Sequence, residues 1–353
     1  MILLRIFLLP FSLLYGIITY IRNKFYDWRL IPSTRYENIY VISVGNITVG
    51  GTGKTPFVEY LVRSFLPHHR VAILSRGYKR TTKGFMFVEN DSAPSEAGDE
   101  PYQIKQKFPG IVVAVDADRV KGITKICETH PDIRIIILDD AFQYRKIRPN
   151  LSILLADYSR PLYHDGMLPG GRLREWPFFA KRADMMVITK SPAGISSEKQ
   201  QNIVKRYARI FPKDMFFAAI GYGDPMPVFQ NAGSLSTDAL KQYDVLLLTG
   251  IANPKPLETY IRQYAASVHS LKYPDHHSFQ EKDIANISKQ WNAIQSTNKI
   301  LITTEKDAVR LKQTELSETI AKYCFYIPIE IDLLGSGKSA FEQKLMGAYA
   351  VHL

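Results

Sequence analysis

The residues best placed to do chemistry lie in one short stretch, Gly45-Asn46-Ile47-Thr48-Val49-Gly50-Gly51-Thr52-Gly53-Lys54-Thr55-Pro56. It follows a strand-like run at 39–44 and precedes a helical pattern from Phe57. Glycines let backbone N–H groups curl around phosphate oxygens, a lysine adds a point charge, and a threonine hydroxyl can ligate Mg²⁺. Thr48, Val49, Gly50, Gly51, Thr52, Gly53, Lys54 and Thr55 therefore read as a P-loop, the phosphate cradle of a nucleotide. Thr48 stands where the first glycine is usual, a departure offset by the extra Gly50-Gly51 pair. A plain glycine-rich turn is the bland alternative; the strand before, the helix after and Gly-Lys-Thr argue against it. The pair Asp139-Asp140 follows the apolar run 135–138, where a strand-end carboxylate can hold the Mg²⁺ that Thr55 also touches. Two such acids are often only a solvated turn, but a P-loop in the same chain shifts the reading to metal binding. The chemistry implied is phosphoryl transfer or nucleotide hydrolysis.

Positioning these groups requires a particular scaffold. From Ile39 onward short apolar runs alternate with helical stretches, the pattern of parallel βαβ units. Strands are expected at 39–44, 71–74, 111–115, 133–138, 151–156 and 185–189. Nearly all end in polar or glycine-bearing turns, among them Ser75-Arg76-Gly77-Tyr78 and Asp116-Ala117-Asp118-Arg119. Ligands of open parallel sheets sit outside the carboxyl ends of the strands, so these turns should converge. The expected fold is α/β: a P-loop parallel sheet with helices on both faces, spanning 31–222. A smaller second α/β domain with linker strands is expected at 223–335, built on runs at 245–249, 268–271 and 300–303. Residues 336–353 form a C-terminal segment. The run 323–331 either returns to the first domain or pairs in a linker ribbon.

Residues 1–21 carry one charge, Arg5, and are otherwise rich in Leu, Ile, Phe and Tyr. That is length enough to reach across a bilayer, and no small-residue cleavage site follows, so 1–30 is expected to be a retained, membrane-associated helix. Arg5, Ser12, Gly16 and Thr19 fall on one narrow stripe at helical phase, and Pro10 should kink or break the helix. The stripe suits either a helix embedded from one side or one packed on the protein body. Arg22, Lys24 and Arg29 fit the positive-inside bias and keep the remainder cytoplasmic, whether the helix spans or merely inserts.

Composition narrows the partners. A formal charge of +11 favours anionic ones: phosphorylated small molecules, an acidic membrane face or nucleic acid. Nucleic acid ranks last, because neither an aromatic-basic RNA-binding signature nor zinc-finger spacing occurs. Cys127 and Cys324 make neither a metal cluster nor a disulfide framework, which suits a reducing cytoplasm.

Beyond the P-loop, several segments together resemble the tetraacyldisaccharide 4'-kinase family of lipid A biosynthesis. They are Ser75-Arg76-Gly77-Tyr78, Gly98-Asp99-Glu100-Pro101, Asp118-Arg119, Asp139-Asp140-Ala141-Phe142-Gln143, Leu168-Pro169-Gly170-Gly171-Arg172-Leu173-Arg174-Glu175, Thr249-Gly250-Ile251-Ala252-Asn253-Pro254, Asp275-His276-His277-Ser278-Phe279 and Thr303-Thr304-Glu305-Lys306-Asp307-Ala308. Ala141 stands where many relatives have glycine. The resemblance implies ATP and Mg²⁺, a lipid-linked disaccharide 1-phosphate as acceptor, and transfer to its 4'-hydroxyl. It also implies work on an anionic membrane surface, at the cytoplasmic face of a bacterial inner membrane, by a peripheral or monotopic protein. By similarity Asp99 is the base, with His276 (or, less favoured, His277) as its partner. Lys54, Asp140 and Arg174 serve the transferring phosphoryl group, and Glu175 orients Arg174. Arg76, Arg119 and Gln143 are assigned to ATP or to the acceptor's phosphate.

Each assignment has a plainer counterpart. Asp99 before Glu100-Pro101 suits a helix N-cap, and the two histidines suit a surface loop. The rival function is a membrane-tethered P-loop NTPase, either GTPase or ATPase, acting on a protein partner. Against a guanine reader, Thr189-Lys190 is followed by Ser191-Pro192, so the expected guanine-binding carboxylate is missing.

Overall fold

The strand-forming runs have apolar residues on both sides of the chain, so both faces of the sheet they build must be covered. In the computed structural model, which describes residues 2–229, 233–275 and 277–352, that is how they lie. Contacts divide the chain into two units, Met1–Ile220 with Ile331–Leu353, and Gly221–Glu330.

The first unit is built on β1 (Tyr40–Gly45), β2 (Val71–Ser75), β3 (Met86–Phe87), β4 (Val112–Val115), β5 (Ile135–Asp139), β6 (Leu151–Asp157), β7 (Met185–Thr189) and β8 (Met215–Tyr222). Its sheet runs β8-β7-β6-β1-β5-β2-β4-β3, parallel except for β3, with one further strand at the β8 edge. In β5, Ile135 and Ile137 enter one core layer while Ile136 and Leu138 enter the other. Helix Lys54–Phe65 sets Phe57, Leu61 and Phe65 into the first layer, beside Phe341, Leu345 and Tyr349 of the C-terminal helix Gly337–Ala350. Ile123 and Ile126 of helix Arg119–Thr129 cover the opposite face. The chain steps one way from β1 to β2 and the other way from β5 to β6, so the topological switch point lies at β1 and β5. Ligands of doubly wound sheets bind at that point.

The second unit carries β9 (Met226–Pro227), β10 (Asp244–Thr249), β11 (Ser267–Lys272), β12 (Lys299–Thr304) and β13 (Cys324–Ile327), ordered β11-β10-β12-β13-β9. All but β9 are parallel. Buried Asp307 accepts from the Gly250 N–H at 2.8 Å and the Thr304 hydroxyl at 2.7 Å and pairs with Arg310 at 3.0 Å. The paired motifs at 249–254 and 303–308 thus fix one loop. The run 323–331 divides: β13 stays in this sheet, and β14 (Ile329–Leu333) is the edge strand beside β8.

The N-terminal helix Ile2–Asp27 continues through Pro10, which forgoes one backbone bond without ending it. From Ser12 onward its polar stripe faces the protein. Ser12, Thr19 and Asn23 are buried, and Gly16 lets the Trp176 indole lie against the helix: a Cβ there would fall 2.8 Å from the ring. The outward face is apolar, with Phe7 70%, Leu14 57% and Ile18 57% exposed. Among the described residues no helix is long and apolar enough to cross a membrane.

Candidate active site

The loop after β1 is held open by backbone geometry and three side chains. Gly50 and Gly53 take positive φ, of 112° and 77°, letting the chain turn into the helix that starts at Lys54. Thr48, at the position where glycine is usual, forms an antiparallel bridge with Leu173, an extended role that suits a β-branched residue. The next residue continues the clamp, the Val49 N–H donating to the Arg172 carbonyl at 2.8 Å. Inside the loop the Asn46 amide donates to the Thr52 hydroxyl at 2.8 Å, and the Thr189 hydroxyl donates to the Thr52 carbonyl at 2.8 Å.

At the mouth of this loop, charges collect on Asp140. Arg174 grips both its carboxylate oxygens, at 2.9 and 3.3 Å, and Lys54 stands 3.8 Å away. Arg174 also donates to the Asn46 side chain and to the Thr48 carbonyl. Burial pushes the Asp140 carboxyl up, but Lys54 and Arg174 outweigh it and hold the group below the usual carboxylate range. Asp139 behaves oppositely. Burial, reinforced by the Asp140 charge, pushes its carboxyl up to about 6. One Asp139 oxygen accepts from the Ser75 hydroxyl at 3.2 Å, while the other, Oδ1, is buried without a hydrogen-bond partner. An orphaned carboxylate oxygen next to the Asp140 carboxylate is a hard oxygen donor set that fits Mg²⁺, an ion that takes one or two carboxylates and completes its shell with phosphate and water.

The turns after β2 and β4 bring further charge. Arg119 is 4% exposed, donates to the Ala117 carbonyl at 3.0 Å and stacks over Tyr144 at 5.2 Å. Its acidity is raised first by burial and then by Arg76, while Asp139 and Asp140 pull the other way, so Arg119 lies within electrostatic reach of the aspartate pair. Asp99 opens the helix Asp99–Lys107, with Gly98 rather than Asp99 as the capping residue. Gly98 (φ 96°) lies against the Tyr78 carbonyl, which seats that helix start on the turn after β2. Its neighbour Glu100 acts electrostatically on Asp139. Gln143 donates to the Asn46 carbonyl at 2.8 Å, so its amide braces the P-loop.

Glu175 differs from expectation. Its fully buried carboxylate pairs with Arg22 at 3.1 Å and Arg182 at 2.8 Å, not with the side chain of Arg174. Arg22, expected at membrane headgroups, instead reaches inward to it. His276 lies outside the described residues. His277 is held by Asp283 at 2.9 Å and stacked on Tyr273.

Three organising residues, Asn46, Thr189 and Lys190, are not among the site residues expected from sequence. Asn46, fully buried, links the P-loop to Arg174. Lys190 donates to the Gly51 carbonyl and pairs with Asp157 at 2.8 Å, propping the loop from β7 and β6. Thr189-Lys190 at a strand end was the available signal for the last two; nothing local marks Asn46.

Comparisons with known proteins agree across the whole chain. The sequence model of the family described as tetraacyldisaccharide-1-P 4'-kinase matches residues 4–349. A curated tetraacyldisaccharide 4'-kinase from Bacteroides thetaiotaomicron is 39% identical over 351 residues, covering 96% of this chain and 92% of the relative. One from Parabacteroides distasonis is 41% identical over 344 residues, covering 96% and 93%. The solved structure of LpxK from Aquifex aeolicus in complex with ATP matches with a TM-score of 0.76 at 29% identity, covering 98% of this chain and 99% of that one.

Proposed function

The chain belongs to the tetraacyldisaccharide 4'-kinase family, and from that premise we propose how its own residues carry out the reaction. It is an ATP-dependent phosphotransferase of lipid A biosynthesis, moving the γ-phosphoryl group of ATP to the 4'-hydroxyl of a tetraacyldisaccharide 1-phosphate. The backbone of Thr48 to Thr55 cradles the ATP phosphates. Lys54 and Arg174, already gathered on Asp140, share charge with the transferring group. Thr55, Asp139 and Asp140 would hold Mg²⁺, which would supply charge neutralisation on the phosphate oxygens. Asp99 accepts the proton of the 4'-hydroxyl as its oxygen bonds to the γ-phosphorus and the bond to the ADP oxygen breaks. Arg76 and Arg119 bind an anionic group of ATP or acceptor. Such transfer is mainly positioning and electrostatics, which is what these side chains offer. The observation that carries the reading is the Lys54–Asp140–Arg174 cluster at the P-loop mouth, with Asp139 Oδ1 orphaned beside it. Incubation with γ-labelled ATP and a defined disaccharide 1-phosphate tests it: label should appear at the 4' position of the lipid, and ATP hydrolysis without lipid product would defeat it.

The N-terminal helix supports peripheral attachment to the cytoplasmic face of the inner membrane. An ordinary surface helix turns its apolar face to the core. This one turns Ser12, Gly16, Thr19 and Asn23 inward and exposes Phe7, Phe11, Leu14 and Ile18. An in-plane seat in lipid covers that face and holds the site near an acceptor that stays in the bilayer. Liposome flotation of the full chain carrying Phe11→Glu with Ile18→Glu is the test; undiminished flotation would discard the helix as the anchor.

A further inference from the structure

We propose that Arg22 is a positioning residue for the reaction: from the membrane-facing helix it holds the buried Glu175 carboxylate and so fixes the neighbouring catalytic Arg174. The inference deepens the kinase reading above and rests on it. Three consecutive residues are gripped by the same helix. The Arg174 carbonyl accepts from the Tyr15 hydroxyl at 3.1 Å, the Glu175 carboxylate pairs with Arg22 at 3.1 Å, and the Trp176 indole donates to the Gly16 carbonyl at 2.9 Å. On the other side the Arg174 N–H donates to the Ile47 carbonyl at 2.7 Å, so the arginine is strung between the helix and the P-loop.

Glu175 is the charged link in this clamp. Its side chain has no exposure, and an ionised carboxylate so placed needs cationic partners. Arg182 is the second partner. It lies 4.5 Å over the Phe142 ring and donates to the Phe142 carbonyl at 3.3 Å, two residues beyond Asp140. The carboxylate therefore joins the helix to the segment bearing Asp140 as well as to Arg174. Side-chain hydrogen bonds at Ser12, Tyr15 and Trp176 seat the helix; the pair of half-exposed Arg22 with buried Glu175 adds a directional constraint on residues 174–176. Removing Arg22 leaves Arg182 on Glu175, so the chain should fold while the clamp loosens. Misplacement of a transition-state cation by about 1 Å costs on the order of a hundredfold in rate.

The experiment uses the full chain with detergent-dispersed acceptor, comparing Arg22→Ala and Arg22→Lys with the native enzyme. Expected for Arg22→Ala is a fall in kcat of about ten- to a hundredfold, with acceptor KM, ATP affinity and liposome flotation close to native. Arg22→Lys should recover part of kcat. Combining Glu175→Gln with Arg22→Ala should cost less than the product of the two single losses, because the two share one interaction, while the loss beyond Arg22→Ala reports the Arg182 link. Native kcat in Arg22→Ala would overturn the proposal, as would loss of flotation with unchanged turnover of the bound fraction. Failure of the native chain to phosphorylate any lipid disaccharide would instead overturn the kinase reading beneath it.

Discussion

Replacing Asp139 by asparagine should make the metal-free protein more stable and the enzyme nearly inactive. The side chain is 6% exposed, and burial with the adjacent Asp140 charge raises its carboxyl to about 6. An unfolded aspartate titrates near about 3.9, so the displacement is about two pH units at about 1.4 kcal/mol each. Because the folded value is the higher one, the folded chain binds the extra proton. The penalty is absent below about pH 4, grows between about pH 4 and 6, and stays near 3 kcal/mol, on the order of magnitude, above that. Asparagine removes the charge and keeps an acceptor for Ser75, but its amide needs a partner of its own, which reduces the net gain to about 1–2 kcal/mol. For a unit of this size that is a rise in Tm of about 2–8 °C. Calorimetry in EDTA at pH 8 should show the gain, and the same scan at pH 4.5 should show much less of it. Turnover should fall roughly a hundred- to a thousandfold, and the added stability that Mg²⁺ and ATP confer on the native chain should shrink. A variant no more stable than native at pH 8, or equally stabilised at both pH values, would refute the charge-burial account.

Lys54→Ala and Asp140→Ala should each lower kcat by about a hundred- to a thousandfold while circular dichroism stays native; normal turnover in both would end the phosphoryl-transfer assignment. Asp99→Asn should cost about two to four powers of ten in kcat with ATP affinity retained. His276→Ala should slow the reaction and alter its pH profile, and simple additivity in the double variant would show that the two do not work together. Lys190→Ala should raise the ATP dissociation constant roughly tenfold by removing the prop under Gly51, read by calorimetric titration; an unchanged constant would show the loop needs no prop.

The sheet was legible because its strands are short apolar runs ending in polar turns, and the P-loop because glycine, lysine and threonine must sit in sequence to hold phosphate. What sequence did not disclose depends on where side chains point. Glu175 follows Arg174, and adjacency suggests that one orients the other; the chain bends at both residues, and Glu175 turns to Arg22 and Arg182 instead. Arg22 follows an apolar run and so read as a headgroup cation, yet it lies three residues after buried Thr19, on the edge of the inward stripe. Asn46 gains its role from Arg174, 128 residues away, a meeting no local pattern encodes. Pro10, expected to kink or break the helix, does not end it, because a single missing N–H is absorbed within a helix of 26 residues.

The helix joins these points into one physical requirement. With its small and polar residues inward it buries little apolar area against the protein, so side-chain hydrogen bonds and the Arg22–Glu175 pair must hold it there. The same arrangement leaves a row of large apolar side chains outside, and lipid is a medium that can cover them without competing for the inward polar bonds. Serine or glycine replaced by leucine on the inner stripe would strengthen hydrophobicity overall yet expel Trp176 from its seat at Gly16, where even a Cβ falls within 2.8 Å of the ring. A Gly16→Leu chain should therefore still float with liposomes but lose turnover, the reverse of Phe11→Glu with Ile18→Glu, which should lose flotation and keep turnover on detergent-dispersed acceptor. If both variants lost the same property, anchoring and positioning would not be separable faces of this helix.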